Sequence, residues 1–532
     1  MANDSSAPYQ LVPTNSYNTE LLQDTQSSFQ PPNDDARLDR IQFGNQQHIP
    51  PAAPSQQNHT TVESDPIPSN TEPNPPKTKK IARRTKVTAS RAAAPARVEK
   101  QIDRGKKPRR SFDLDERAAT ACTRELGSCA RCKMQKSRCV RNPLNPDGPC
   151  MRCLSDSAII NIPCLRKKIP DARFTPAKDC PEPYWTTRWA TMDVKEIDVW
   201  ASSEVRTLVL TQDIGSAKDV LTVRMIVPLP GDSLTRTWMS KSTGERFHHQ
   251  TAPWAIMNMT RTAHEPSVNI DNYIEDFINH FVNPNDKLLV DTYLMAFRLS
   301  TSSKVEEERV LLRNVLRLWV AARRGTKPQR VIGEEKLGML PQTLDRNRYD
   351  YGEVPVPPVI SAQLSLLREA LIIRPWTQEV RSQLEALVAK KKPESWLTVY
   401  LVMFILLHNC SLLTAYFMKK AKNLRLHDKY HAIAILEELH FSVSILLTYY
   451  HYVNKGALCF ATGHASSRDI QRLKLDDDQL SFLIFSAKEV KRLEPSMKKA
   501  REESLFHHEY YFISQLYDLN WVLPEHTVAS VQ

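Results

Sequence analysis

The sequence predicts a mostly α-helical C-terminal region, joined through a minor β-hairpin element to a small cysteine-rich module and a disordered N-terminus. Three observations predict this arrangement. Apolar residues recur at helical spacing beyond residue 269, six cysteines fall within 36 residues, and the first 76 residues are polar and rich in proline. At 532 residues, the chain is long enough for two or three domains.

Residues 1–76 form the predicted disordered tail. They contain 12 prolines and 17 Asn or Gln residues, with nine acidic and two basic side chains. Such a composition cannot bury enough apolar surface to offset the entropy that folding costs. The chain begins without a basic region followed by an apolar stretch, so the sequence predicts no secretory signal.

Residues 77–110 form a basic linker. Fourteen Lys or Arg residues against two acidic residues give it a net charge of +12, which equals that of the whole chain. The clusters KTKKIARRTK and RGKKPRR are typical of nuclear-import signals or of an arm that contacts DNA non-specifically, although a solvated linker has the same composition. We expect nuclear import, with an import receptor as partner, and electrostatic steering toward nucleic acid.

The most informative segment is the run of six cysteines that begins at Cys129. Its spacing is C-x(2)-C-x(6)-C-x(10)-C-x(2)-C-x(10)-C, with no histidine in the run. One tetrahedral zinc takes four thiolate or imidazole ligands, so six thiolates do not suit a single ion. They suit two zinc ions if two sulfurs bridge. A segment this small, with few large apolar side chains, needs metal for much of its folding free energy.

A disulfide framework is the alternative use of these cysteines. Disulfides belong to oxidising compartments, and no secretory signal is visible, so the sequence favours a zinc-organised cluster within a predicted domain at 111–168. A short helix is expected ahead of it, from about Asp113 to Leu126. Cys122 on that helix is a spare ligand or, in the favoured interpretation, a buried thiol.

The cysteine run resembles the binuclear zinc cluster of fungal transcription factors over about 40 residues. The resemblance implies a small two-helix cluster with two Zn²⁺ ions, bridged by the first and fourth cysteines. One ion would be held by Cys129, Cys132, Cys139 and Cys150, and the other by Cys150, Cys153, Cys164 and Cys129. The last spacing is longer than the family usually has, and it includes Ile159, Ile160 and Ile162.

Basic residues among the cysteines predict DNA binding. Nine Lys or Arg residues against two acidic ones lie between 129 and 168, which suits a phosphate partner. The resemblance implies a short helix whose end enters the major groove, with Lys136 reading base edges of a GC-rich, CGG-like element. Lys133, Arg138 and Arg141 are predicted to hold phosphates. Gln135 replaces a residue that is often basic in the family; it pairs with adenine or, as favoured, is a solvated surface residue.

Residues 169–268 are predicted to form a linker with a small β element. Four prolines follow the cluster, at 170, 176, 181 and 183, and no heptads are sustained, so a zipper directly after the cluster is not expected. The protein then binds DNA as a monomer or forms a homodimer through its C-terminal region. Alternation of β-branched and polar residues from 205 to 246 predicts a hairpin or small sheet.

Residues 269–523 are predicted to form an all-α domain, and the resemblance to fungal zinc-cluster factors implies that this domain is regulatory. Ile270, Ile274 and Ile278 belong to an apolar stripe at helical spacing, and such periodicity continues through 287–323. A loop rich in Gly, Pro and charge is expected at 325–358. Further helices are expected at about 360–372, 376–391, 395–423, 428–454, 478–503 and 506–518. Residues 396–418 are long enough to span a bilayer, but their polar side chains favour a buried core helix and no membrane partner.

The sequence contains no Gly-rich phosphate loop, no G-x-S-x-G and no H-E-x-x-H motif, which predicts that the protein is not an enzyme. We therefore expect a nuclear, sequence-specific, fungal-type transcription factor that regulates RNA polymerase II transcription. Its expected partners are double-stranded DNA and the transcription machinery or co-regulators. Two alternatives stay open: a zinc-cluster scaffold for protein contacts, and a ligand-binding or enzymatic helical domain fused to the cluster.

Overall fold

The computed structural model describes most of the chain beyond residue 112. The described residues are 113–146, 148–155, 163–176, 185–240, 243–454, 467–518 and 520–524. The predicted disordered tail at 1–76 and the basic linker at 77–110 lie outside them, as do Ile159, Ile160 and Ile162.

Helices make up most of the described chain. They are α1 Leu114–Leu126, α2 Ala130–Met134, α3 Met151–Ser155, α4 Met259–Phe281, α5 Lys287–Ser302, α6 Glu306–Arg324, α7 Pro358–Leu367, α8 Arg374–Lys390, α9 Trp396–Leu424, α10 Ile433–Asn454, α11 Ser467–Leu473, α12 Asp477–Glu502 and α13 Tyr510–Ile513. A π-helical segment, Arg368–Ile373, joins α7 to α8, next to Pro375, which has no N–H to donate.

Among the described residues, seven strands form two antiparallel sheets. They are β1 Trp200–Thr211, β2 Lys218–Ile226, β3 Thr235–Met239, β4 Arg246–Gln250, β5 Trp254–Ile256, β6 Arg330–Ile332 and β7 Val354–Pro355. The larger sheet has the order β5-β2-β1-β6-β7, and β3 pairs with β4 alone. In the larger sheet, Val209 of β1 faces Val220 of β2 on one side and Ile332 of β6 on the other.

Three sequence predictions need correction here. The β element is larger than one minor hairpin, and the region from 269 onward is not all-α, because β6 and β7 lie within the predicted loop at 325–358. The helical region begins at Met259 rather than at 269. The stretch 287–323 is helical, as its periodicity predicts, and it consists of two helices because the chain turns at Ser303, whose hydroxyl accepts the Val305 N–H at 3.3 Å.

The larger sheet has a hydrophobic core of its own. Leu208 and Leu210 of β1 and Val223 of β2 are fully buried in it, together with side chains from α7. Gln363 of α7 accepts a hydrogen bond from the Ile256 N–H at 2.7 Å and donates one to the Ile256 carbonyl at 3.1 Å. The Gln363 side chain thereby satisfies backbone groups of the edge strand β5 and joins the sheet to α7 by two hydrogen bonds.

Helix α9 is the central helix of the main core. Both α9 and α10 are long and apolar enough to cross a membrane, but 94% of the most apolar window of α9 is buried within the fold. Its polar side chains have partners: His408 hydrogen-bonds Tyr293 at 2.9 Å, and Asn409 accepts from Arg323 at 2.8 Å. These bonds offset the cost of burying polar groups, and α9 is a core helix as the sequence predicts.

The chain that follows the cysteines runs along the helical core. We call residues 163–176 the strap. Its side chains Ile169, Ala172 and Phe174 are buried in the main core, and its one turn of helix is a 3₁₀ turn, Ile169–Asp171. Backbone groups anchor it as well, since the Arg173 N–H donates to Ser442 of α10 at 2.7 Å. The cysteine module is therefore joined to the helical core by a packed segment.

Candidate metal centre and nucleic-acid interface

Each CxxC pair begins a short helix, and its first cysteine caps that helix. Cys129 precedes α2, and its sulfur accepts the Cys132 N–H at 3.4 Å. Cys150 precedes α3, and its sulfur accepts the Cys153 N–H, also at 3.4 Å. This bond holds both sulfurs of a pair on one side of a tight turn, so that they can chelate a single ion.

The third cysteine of each set is held by the same kind of bond. The Cys129 N–H points at the sulfur of Cys139, at 3.5 Å, and the Cys150 N–H points at the sulfur of Cys164, at 3.3 Å. The cluster is thus a twice-repeated pattern. We call Cys129, Cys132 and Cys139 the first half, and Cys150, Cys153 and Cys164 the second half.

The sulfur atoms lie at distances that suit shared zinc ions. The Cys132 and Cys150 sulfurs are 3.7 Å apart, those of Cys129 and Cys153 are 3.7 Å apart, and those of Cys129 and Cys150 are 4.0 Å apart. Two sulfurs bound to one tetrahedral zinc at about 2.3 Å each are about 3.8 Å apart. Because Cys129 and Cys150 each approach the opposite half, they occupy the centre of the cluster.

The two remaining cysteines reach the same centre. The sulfurs of Cys129, Cys132, Cys150 and Cys153 all lie within 4.8 Å of one another. Cys139 hydrogen-bonds Cys150, and Cys164 hydrogen-bonds Cys129, so each third cysteine contacts the central cysteine of the other half. The described cysteines are free thiols, and the 3.7–4.0 Å separations are far longer than a disulfide bond.

Three of the thiols, those of Cys129, Cys139 and Cys153, resist losing their protons unless a cation compensates. Burial raises the pKa of Cys139 to about 11 and raises that of Cys153. The hydrogen bond with Cys164, together with burial, raises the pKa of Cys129. The same contact lowers the pKa of Cys164 to about 5, because the Cys129 thiol donates to it. A metal ion that binds here must release protons, and it then supplies the positive charge that crowded thiolates need.

Helix α1 braces the cluster from outside. Its start is a capping box, in which the Glu116 N–H donates to the Asp113 carboxylate at 2.6 Å, and its range agrees with the helix that the sequence predicts from about 113 to 126. Thr123 donates to the Cys139 carbonyl at 3.2 Å. Cys122 is half-buried on α1 and lies outside the four-sulfur group.

The predicted DNA-contact residues do not share one environment. Lys133 forms an ion pair with Glu385 of α8, with Nζ 2.5 Å from Oε1. Gln135, at the C-terminal end of α2, is exposed and lies close to Tyr452 of α10. The sequence could not show either partner, because each lies more than 200 residues further along the chain.

The other three candidates face solvent. Lys136 and Arg138 are exposed, and within the described residues no side-chain partner holds either one. Lys136 has φ of 52°, a left-handed conformation that ends the α2 turn and that L-residues adopt at a cost. Arg141 is exposed and donates to the Pro146 carbonyl at 3.3 Å. Lys136, Arg138 and Arg141 thus present three exposed cationic side chains.

A space of about 330 Å³ beside α6 and α8 is lined mostly by charged side chains, among them Glu308 and Lys390, and a smaller cavity lies between the helical and sheet cores. The smaller cavity, of about 50 Å³, is lined by Asp219, Arg324 and Leu367 among others, and Arg324 pairs with Asp219 there. Pockets that take metabolites usually measure about 300–1,000 Å³. This cavity gives no support to the ligand-binding alternative.

Comparison with known proteins identifies the region beyond the cysteines. A model of the KpeA transcription factor family matches residues 178–516, which is more than half of the chain. The satratoxin biosynthesis SC3 cluster transcription factor SAT20 of Stachybotrys chartarum is 24% identical over 401 residues, covering 71% of this chain and 53% of that protein. The chain therefore spans about half the length of this curated relative. No solved structure matches the chain.

Proposed function

Because this chain belongs to the KpeA transcription factor family, we propose that it is a sequence-specific DNA-binding transcription factor of fungal type, whose six cysteines hold two Zn²⁺ ions. The observation that carries the proposal is the repeated N–H···S pattern, which gathers six sulfurs around Cys129 and Cys150 beside exposed basic residues. That arrangement suits a metal-folded module that binds a polyanion.

Two zinc ions would divide the six ligands between the halves. Cys132 and Cys139 would hold one ion, Cys153 and Cys164 would hold the other, and the central Cys129 and Cys150 would be shared by both. The metal supplies folding free energy and neutralises thiolate charge, and no bond is made or broken in DNA, so the protein is not an enzyme.

Different basic side chains would then contact the bases and the phosphates of DNA. Lys136 reads base edges in the major groove of a short GC-rich, CGG-like element. Arg138 and Arg141 hold phosphates and set the orientation of the module, and Lys133 joins them when it is free of Glu385. Gln135, next to Lys136, would pair with an adenine at the edge of the element.

The protein acts in the nucleus, with the basic segment 77–110 as its import signal. Its partners are double-stranded DNA, an import receptor, and the transcription machinery or co-regulators of RNA polymerase II. The strap follows the cluster without a coiled-coil helix in its described residues, so monomeric binding or dimerisation through the helical domain replaces a zipper.

Selection of sites from a random DNA pool tests the proposal. The full-length chain, loaded with zinc, is expected to contain two zinc ions and to enrich one short GC-rich element. Lys136→Ala is expected to lower affinity for that element about tenfold or more, since a good base contact is worth about 1–3 kcal/mol. The matched Arg141→Ala variant also loses one charge. It is expected to lower the affinity for all DNA sequences alike and to reduce the slope of log affinity against log salt concentration by about one. Unchanged sequence preference in Lys136→Ala would contradict the assigned base contact.

A surface on the cluster favours one second candidate, the protein-interaction scaffold. The apolar side chains of Val140, Leu144, Met151 and Leu154 are exposed there, with Leu144 94% exposed. A patch of this kind suits a protein partner. Zinc-loaded protein that binds no DNA in the selection would favour this candidate over the first.

A further inference from the structure

One face of the helical domain binds the first half of the cluster. We call the residues Glu385 and Lys391, with Tyr452 beside them, the docking face; they lie on or next to α8 and α10. Helix α10 packs against α2. The face therefore touches the helix on which the proposed DNA contacts begin.

An ion pair forms one edge of this contact. Lys133 lies 2.5 Å from Glu385, and both side chains are about two-thirds buried, with 33% and 30% of their surface exposed. A lysine that contacts a DNA phosphate needs its ammonium free, and a carboxylate at this position repels an incoming phosphate. The pair and the phosphate contact are therefore alternatives for the same ammonium group.

A second polar contact caps the end of α2. Lys391 donates from Nζ to the Met134 carbonyl, and the same ammonium lies 5.4 Å from the centre of the Tyr452 ring. Cationic groups at the C-terminal end of a helix are favourable because the last carbonyls have no partner within the helix. Lys391 thus occupies the end of α2 next to Gln135 and Lys136.

Apolar packing completes the contact. Ala130 and Met134 of α2 are 1% and 5% exposed, and both belong to the main hydrophobic core of the helical domain. They are four residues apart, so they lie on the same side of α2. The docking is therefore an interior packing contact with polar bonds at its edge.

We propose that the docking face is autoinhibitory: the helical domain competes with DNA for α2, and Glu385 holds Lys133 in place of a phosphate. The proposal rests on the DNA-binding function proposed above. Lys136 and Arg138 stay exposed in the docked state, so the free chain retains weak, non-specific attraction for DNA. Full binding requires the Lys133–Glu385 pair to separate.

Charge-neutral substitution at the pair tests this. Glu385→Gln is expected to tighten binding of the full-length, zinc-loaded chain to its selected element by about three- to fivefold, which is the range that a partly exposed ion pair allows. Glu379→Gln removes the same charge from the same helix, where its partner is Gln383 rather than the cluster, and is expected to leave affinity unchanged. Fluorescence anisotropy with a labelled duplex measures both.

A further variant links the gain to the proposed partner. In a Lys133→Gln background, Glu385→Gln is expected to give a clearly smaller gain, because no ammonium remains to be released and only the repulsion between the carboxylate and phosphate is relieved. Zinc content and circular dichroism verify that every variant is folded. Equal affinities for Glu385→Gln and Glu379→Gln, or weaker binding by Glu385→Gln, would overturn the inference while leaving the proposed function intact. Failure of every zinc-loaded variant to bind DNA would overturn both.

Discussion

The first half of the cysteine cluster lies against the helical domain, whereas the second half faces outward. Ala130 and Met134 of α2 are buried in the main core. Met151 and Leu154 of α3 are 44% and 47% exposed. Yet the N–H···S bonds of the two halves match within 0.2 Å, at 3.4 and 3.5 Å in one and 3.4 and 3.3 Å in the other.

This difference separates two roles in a small module. The cysteines and their backbone bonds determine the shape of each half, which is why the halves are alike. The side chains between the cysteines determine what each half touches, and there the halves differ. In α2, apolar residues four positions apart form one side that packs on α10, and Lys133 meets Glu385 at its edge.

Removal of zinc is expected to have the largest effect, and it should unfold the second half more completely than the first. A chelator is expected to abolish DNA binding and to unfold the second half, because structural zinc contributes about 10–16 kcal/mol to such modules. The first half should lose its sulfur geometry yet keep part of its protection, since Met134 packs on the helical core. Hydrogen exchange of the α2 and α3 amides measures this difference. Equal loss of protection in both would show that docking depends wholly on metal.

Substitution of single cysteine ligands is expected to have the next largest effect. It tests whether the two halves share sulfur ligands. Cys129→Ser is expected to reduce the zinc content from two ions per chain toward none, because Cys129 contacts both halves. Cys164→Ser should leave one zinc ion per chain, since Cys164 is proposed as a ligand of only one of the two ions. Metal analysis of purified protein gives the ratio. Equal zinc content in the two variants would argue for two separate, unbridged sites.

Trimming the buried methionine is expected to have the smallest effect of the three. Met134→Ala should destabilise the docked cluster by about 2–5 kcal/mol, the usual cost of a Met-to-Ala change in a core. Met151→Ala, at an exposed position of α3, should change stability by less than about 0.5 kcal/mol. Urea unfolding of the two variants, followed by circular dichroism, compares them. A similar small effect for both would mean that Met134 is less tightly packed than its 5% exposure indicates.

Local patterns predicted much of the fold. The short helix α1, the apolar stripe of α4 and the buried α9 can each be recognised within one segment, because helices are stabilised by neighbours three and four residues away. The two CxxC hooks were predictable for the same reason. Short spacing alone constrains where their sulfurs can lie.

Long-range contacts were not predictable in this way. Strand β6 has three residues and pairs Val331 with Leu210, 121 positions earlier, so its own sequence resembles the loop around it. The Lys133–Glu385 pair joins residues 252 positions apart. Both residues look like ordinary solvated charges when read locally, and only the packed fold brings them together.

The strap has a consequence for how strongly the cluster meets its docking face. Four residues separate the last cysteine, Cys164, from Ile169, which is completely buried. A connection of that length reaches at most about 17 Å. Tethers this short give effective concentrations in the millimolar range or above. A docking contact that is too weak to hold two separate molecules together can therefore form within one chain. A DNA duplex that binds the cluster also lies within about the same distance of the helical domain.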